Sequence, residues 1–238
     1  VLVSIVIPAL NEARCISDTL IALQEQTGPF EIIVVDGGSE DDTPLISSKY
    51  ATVITSERGR ANQMNAGAEA AKGEILLFLH ADTRIPENAL ERIRESVSQR
   101  NYEAGIFRLR FDRETCLLRL YSFCTRYKQP RFCFGDRAMF VKKDVFKRVN
   151  GFSSIPIFED LDLSIRLHRR GRFLFRPEYV TTAARRFEEK GPLRQQLLNT
   201  FLWLRYTFGT SPTKLAKYYK YKPPCEEPES ANTLSSGT

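Results

Sequence analysis

Over the first hundred residues, short β-branched and aliphatic runs alternate with segments whose apolar positions recur at helical spacing. Val3 to Ile7 is such a run, halted by Pro8, and reads as a buried strand. Asn11 then stands as a cap for a helix with apolar positions Ile16, Leu20 and Leu23. Glu31 to Val35 is a second strand, stopped by Asp36-Gly37-Gly38-Ser39. Thr43-Pro44 pairs a capping residue with proline at the first helical position. Thr52 to Thr55 is a third strand, and the alanine-rich Ala61 to Ala71 a helix ended by Gly73. Glu74 to Leu79 is a fourth strand, and Pro86 to Gln99 a further helix.

This alternation predicts an α/β fold, a mostly parallel sheet with helices on both faces. Ligands bind such sheets at the carboxyl ends of the strands. Pro8–Glu12, Asp36–Ser39 and His80–Thr83 therefore share one edge, and together they make a candidate nucleotide site. The second half is less regular. Ala104 to Phe111 and Phe140-Val141 read as strands, Leu117 to Tyr127 as a helix. Leu161 to His168 alternates like a strand. Acids at its start, Arg169-Arg170 at its end and Gly171 just beyond favour helix. Leu193, Leu197, Phe201, Leu204 and Phe208 mark an amphipathic C-terminal helix, expected to pack on the core. From Pro223 onward the composition predicts a disordered tail.

The chain has 238 residues and a formal net charge of +6. The charge divides unevenly. Residues 1–100 hold 9 basic and 15 acidic residues, and residues 101–238 hold 26 and 14. We read 1–100 and 101–222 as two halves of one domain, with 223–238 as the tail. Two histidines rule out multi-histidine metal cages, and neither a P-loop nor a G-x-G-x-x-G string occurs. Five scattered cysteines without a C-x-x-C pair point to a reducing, cytoplasmic setting. Cys15 and Cys124 lie on apolar helix patterns as expected core thiols. No apolar run approaches the ~18 residues of a membrane span.

Several strings, in order, carry a resemblance. Val3 to Glu12 resembles the opening strand of family 2 glycosyltransferases. Glu31 to Ser39 resembles that family's second strand and nucleotide-contacting turn. Leu77 to Asp82 resembles its D-x-D strand end, and Phe158 to Leu163 its E-D motif. Gly135-Asp136 and Gly151-Phe152 also match in order and spacing. The resemblance runs from about Val3 to about Gly209 and implies a GT-A fold that transfers a sugar from a nucleotide-sugar with inversion.

The chemistry fits these residue types. A departing nucleoside diphosphate carries negative charge that a divalent metal neutralises, and Mg²⁺ or Mn²⁺ needs only one or two carboxylates besides the diphosphate. The acceptor hydroxyl needs a general base. The resemblance implies Asp82 as the metal and diphosphate ligand. His80, where the family has a first acid, is a second candidate ligand. Asp160 is implied as the base, with Glu159 beside it, whereas Asp162 reads as a solvent-facing helix residue. Asp36 and Glu12 are implied nucleotide contacts, with Gly38 in the turn, Pro8 and Asn11 along the first loop, and Ala81 beside Asp82. Arg60, at a helix start with Asn65 one turn on, is placed to meet the donor phosphates. Arg137, where the family commonly has Gln, is a candidate for an acidic acceptor, and Arg185-Arg186 for closing over the diphosphate.

Lys214, Lys217, Lys220 and Lys222, interleaved with tyrosines, suit an anionic membrane surface, a nucleic acid or a solvated tail. Two other functions compete with glycosyl transfer. A sugar nucleotidyltransferase would show a glycine-rich basic loop where this chain has Leu10-Asn11-Glu12. A non-enzymatic basic binding module leaves Asp82 and Glu159-Asp160 without a role. The partners expected are a nucleoside-diphosphate sugar and a phosphate-bearing or lipid-linked acceptor, reached at the membrane periphery, and no nucleic acid.

Overall fold

The computed structural model describes residues 1–113, 115–130, 137–184 and 192–218. The proposed tail from residue 223 lies outside them. The elements begin with β1 (Val3–Ala9), α1 (Ile16–Gln24), β2 (Phe30–Asp36), α2 (Thr43–Ser47), β3 (Thr52–Thr55), α3 (Arg60–Ala70) and β4 (Ile75–Phe78). The short β5 (Thr83–Arg84) and α4 (Ala89–Ser98) lead to β6 (Ala104–Phe111) and α5 (Cys116–Cys124). Then come β7 (Met139–Lys142), α6 (Lys143–Arg148), α7 (Glu159–His168), β8 (Phe173–Thr182), α8 (Pro192–Thr207) and α9 (Pro212–Ala216).

The strands form one sheet in the order β3-β2-β1-β4-β7-β6-β8-β5. Pairing is parallel from β3 through β4, antiparallel on either side of β7, parallel between β6 and β8, and antiparallel between β8 and β5. β1 lies inside the parallel half, and successive residues enter opposite cores. Ile5 and Ile7 meet Leu20 and Leu77 on one face, while Val6 meets Met64 and Phe78 on the other. A strand buried on both faces reads as a continuous apolar run, as this one does.

Two local expectations change, and one ambiguous segment takes the helical form its flanking charges favoured. Asn11 does not cap α1, which begins five residues later, at Ile16, behind Cys15. Asn11 is left-handed instead, at φ 54°, and its Oδ1 accepts from the Glu40 N–H at 2.8 Å. Gly73 is not a left-handed helix stop. It is needed for close approach, its N–H donating to Ser4 Oγ at 2.8 Å. The residues from 159 to 168 form a helix, and their apparent alternation arises because Leu161, Leu163 and Leu167 all face buried neighbours.

The largest departure is α8. Its apolar stripe faces outward: Leu197 is 71 % exposed and Phe208 85 %, whereas Leu202, off that stripe, is 2 % exposed. α8 therefore meets the rest of the molecule through residues off that stripe, among them Leu202, the buried Gln195 and Tyr206, more than through the residues whose spacing announced it.

Candidate active site

β1, β2 and β4 run parallel, with Ala9 opposite Asp36 and Val6 opposite Phe78, so their carboxyl ends reach one edge. There the loops after β1 and β2 lock together. The Asn11 N–H donates to Ser39 Oγ at 2.9 Å, the Glu12 N–H to Thr43 Oγ1 at 2.8 Å, and the Ala13 N–H to Asp41 Oδ2 at 3.1 Å. Buried Asp36 folds into its own turn, where Oδ2 accepts the Gly38 and Ser39 N–H groups, each at 3.0 Å. This is an Asx-type turn, in which a short carboxylate replaces the next backbone partner.

Beside these loops lies a cavity of about 1000 Å³, the upper end for small-molecule sites. It brings together parts distant in sequence. Pro8 comes from the end of β1 and Glu12 from the loop after it, Arg60 from the start of α3, His80, Ala81 and Asp82 from beyond β4, and Glu159 and Asp160 from α7. Leu117, Leu120, Tyr121 and Cys124 of α5 and Gln195, Asn199 and Trp203 of α8 complete the wall. His80, Glu159 and Asp160 are buried, and Asp82 is half-buried with the Thr83 and Thr182 hydroxyls 3.4 Å from its Oδ1.

Glu159 and Asp160 occupy the first turn of α7, where a helix favours negative charge. Phe158 enters that helix in the left-handed region, φ 66°, unusual for a bulky side chain. Its ring stacks on Tyr206 of α8 with centroids 4.8 Å apart. Burial, with Asp162 nearby, pushes the Tyr206 hydroxyl above its ordinary pKa.

Some proposed site residues sit elsewhere. Arg137 does not face an acceptor. It is 1 % exposed, and donates from Nε to the Phe107 carbonyl at 2.8 Å and from Nη2 to the Thr125 carbonyl at 2.9 Å. Asn65 does not meet donor phosphates. Its amide closes both backbone groups of Phe152, each at 2.9 Å, and so ties α3 to the loop before α7. Asp36, Gly38 and Asn11 shape the turn behind the cavity and are not part of its wall. Asp162 is half-buried, holding Ser153 Oγ at 2.7 Å and Arg166 Nη2 at 2.7 Å. Cys15 is no core thiol, since its Sγ donates to Glu12 Oε2 at 3.0 Å, and Cys124 is half-buried on the cavity wall. Arg185, Arg186, Gly135 and Asp136 lie outside the described residues.

One contributor escaped the sequence reading. Gln63, 3 % exposed, donates from Nε2 to the carbonyls of Ala9 and Val35, each at 2.8 Å, where β1 and β2 end. Its signal was present: a polar residue on the same buried face of α3 as Met64 and Gly67.

Among the described residues, no three His, Cys, Asp or Glu side chains cluster as a complete metal cage. Asp82 and His80 both line the cavity, and Mg²⁺ sites on phosphates need only one or two carboxylates, the diphosphate supplying further oxygens.

Residues 4–149 match the model of glycosyl transferase family 2. A "PGL/p-HBAD biosynthesis glycosyltransferase" of Mycobacterium bovis is 34% identical over 222 residues, covering 87% of this chain and 84% of that protein. Two Haloferax volcanii glycosyltransferases also match, but over only 33% and 19% of their own length. Among solved structures, S. aureus TarS 1–349 in complex with UDP-GlcNAc superposes with a TM-score of 0.64 at 18% identity, over 77% of this chain and 58% of that one. Mannosyltransferase PcManGT of Pyrobaculum calidifontis, in complex with GDP-Man and Mn²⁺, gives 0.60 at 20%, over 75% and 56%. The structural likenesses confirm the GT-A architecture, and the family match together with a mycobacterial likeness over more than four fifths of both chains is decisive: the chain belongs to glycosyltransferase family 2.

Proposed function

We propose that the chain transfers a sugar from a nucleoside-diphosphate sugar to an acceptor hydroxyl, with inversion. The observation that carries this reading is the single cavity that collects Asp82 and His80 from one half of the chain and Glu159 and Asp160 from the other. Residues 1–100 supply the donor side. Pro8 and Glu12 on the cavity wall seat the nucleoside, the turn around Asp36 and Gly38 braces their loop from behind through Ser39 and Thr43, and Arg60 at the N-terminus of α3 meets the phosphates. Asp82 and His80 would hold Mg²⁺ or Mn²⁺ there. Such an ion supplies Lewis-acid stabilisation of the departing diphosphate, and neighbours solved with UDP-GlcNAc or with GDP-Man and Mn²⁺ support that assignment.

Asp160 takes the proton from the acceptor hydroxyl, and Glu159 holds the adjoining turn of α7. The second half, 101–218, supplies the acceptor side through α5 and α8. The acceptor is phosphate-bearing or lipid-linked, and the protein works at the periphery of a membrane. No helix among the described residues is long and apolar enough to cross one.

Thermal unfolding across UDP-, GDP- and dTDP-sugars, each with Mg²⁺ or Mn²⁺, tests the donor site. At least one pair is expected to raise the midpoint, and no shift with any refutes the reading. Asp160→Asn is expected to keep donor binding and lose nucleoside diphosphate release. Wild-type turnover in that variant removes Asp160 as the base.

A further inference from the structure

Two helices at the cavity leave large apolar side chains in solvent. On α8, Leu197, Phe201, Leu204 and Phe208 are exposed, the last at 85 %. On α5, Leu120 and Phe123 are exposed, with Tyr127 one turn beyond. The two faces share a composition. Neither residues 115–130 nor 192–224 contain an aspartate or glutamate. Arg119, Arg126 and Lys128 are exposed on or just beyond α5, and Arg194, Arg205, Lys214 and Lys217 on α8 and α9.

They also share a motif. The Arg126 guanidinium lies 5.2 Å from the centroid of the exposed Phe123 ring, and that of Arg205 lies 6.0 Å from Phe201. Tyr218 packs edge-on against Phe201 at 6.1 Å. Leu120 and Thr200 are both exposed and both line the cavity, so each helix stands at its open side.

We propose that the outward faces of α5 and α8, continued by α9, dock the protein on an anionic lipid bilayer with the cavity mouth beside the membrane. This deepens the acceptor part of the proposed function and rests on it for its meaning. Interfacial helices bury an apolar face at the headgroup boundary and carry lysine and arginine on the flanks, where anionic headgroups attract them. Aromatic rings under guanidinium groups suit that boundary, one end apolar and the other wet. A protein partner would be expected to meet some acid on such a surface for its own cations, and both helices lack any.

The experiment is co-sedimentation of the full chain with vesicles of phosphatidylcholine alone or with about a third phosphatidylglycerol, with UDP affinity measured by calorimetry on the same preparation. Binding is expected to anionic vesicles only, and to fall as salt rises. Leu197→Gln with Phe201→Gln and Phe208→Gln, none of which lines the cavity, is expected to lower partitioning by about ten-fold or more while leaving the unfolding midpoint and UDP affinity in place. Arg205→Gln with Lys214→Gln and Lys217→Gln is expected to abolish the preference for anionic vesicles.

Absence of vesicle binding, or equal binding by the Leu197/Phe201/Phe208 variant, overturns the proposal. So does a wild-type dimer in sedimentation velocity that this variant dissociates, because the face then belongs to a second copy. Vesicle binding without a thermal shift from any UDP-, GDP- or dTDP-sugar refutes the donor reading and leaves the surface intact. The reverse result refutes the surface alone.

Discussion

Replacing Gln63 with methionine keeps the length of the side chain and removes its amide. Wild-type Gln63 Nε2 makes two hydrogen bonds of 2.8 Å to the carbonyls of Ala9 and Val35. The Ala9 carbonyl keeps a second donor, the Gly37 N–H at 2.9 Å. A buried hydrogen bond contributes about 0.5–1.5 kcal/mol net, so loss of the pair costs about 1–3 kcal/mol. In a chain of this size each kcal/mol moves the thermal midpoint by about 2–4 °C, and the middle of the range corresponds to a fall of about 4–8 °C. Gln63 also braces the turn after β2, because a Cβ placed on Gly37 would stand 3.0 Å from its amide. UDP affinity should therefore fall with stability. Calorimetric unfolding and UDP titration read both, with Glu69→Ala on the exposed side of α3 as control. A Gln63→Met midpoint within about 1 °C of wild type would show that the bridge holds nothing and that β1 and β2 position the turn unaided.

Other perturbations follow the same logic. Gly67→Ala is expected to destabilise by about 1–2 kcal/mol in urea titration. Its Cβ would meet Val6 Cγ1 at 2.3 Å and Val35 Cγ2 at 2.9 Å, and the overpacking of about 1–3 kcal/mol outweighs the helix propensity gained; greater stability in the variant would contradict this. Arg137→Met should lower stability by about 2–4 kcal/mol, since two buried carbonyls lose their donor, while UDP affinity stays at the wild-type value. An unchanged midpoint with weakened transfer would return Arg137 to the acceptor side. Glu31 gives a pH signature. Burial raises its pKa, but hydrogen bonds from Ser4 and from the Lys72 and Gly73 N–H groups, with the Lys72 charge, hold it below the ordinary 4.5. Its stabilisation is thus complete above pH 4.5 and lost as pH falls through the lower folded value. The stability gap between wild type and Glu31→Gln should close on acidification, and a gap constant with pH would exclude the assignment.

The parallel half of the fold was legible because its strands are buried on both faces and stopped by polar turns, a signal local to each run. The same property exposed the strand-end clusters at Pro8, Asp36 and Asp82. Side-chain direction was harder to read. Arg137 and Asn65 look like ligand-binding groups in a string of letters, yet both are held by backbone groups of residues far away or across a turn. In α8 the apolar period was real but faced outward, because periodicity finds a stripe and does not say which way it points. Gln63 stands on the buried face of α3, which the spacing shows, but its partners, two carbonyls at strand ends, leave no trace in the sequence.

The sheet order also sets a timetable. β3, β2, β1 and β4 are complete once residue 78 has been made, but β7, which covers the far side of β4 and joins it to β6, begins at Met139, and β5 waits for β8, which ends at Thr182. At about 5–20 residues per second, ribosomal synthesis leaves the interval between Phe78 and β7 open for roughly 3–13 s. Throughout it the backbone of Ile75–Phe78, entirely buried in the finished protein, forms the bare edge of a four-stranded sheet. Such an edge pairs readily with other chains. The stretch between Phe78 and Met139 is thus the period in which the newborn protein most needs a chaperone, and a synonymous change that slows translation there lengthens its exposure.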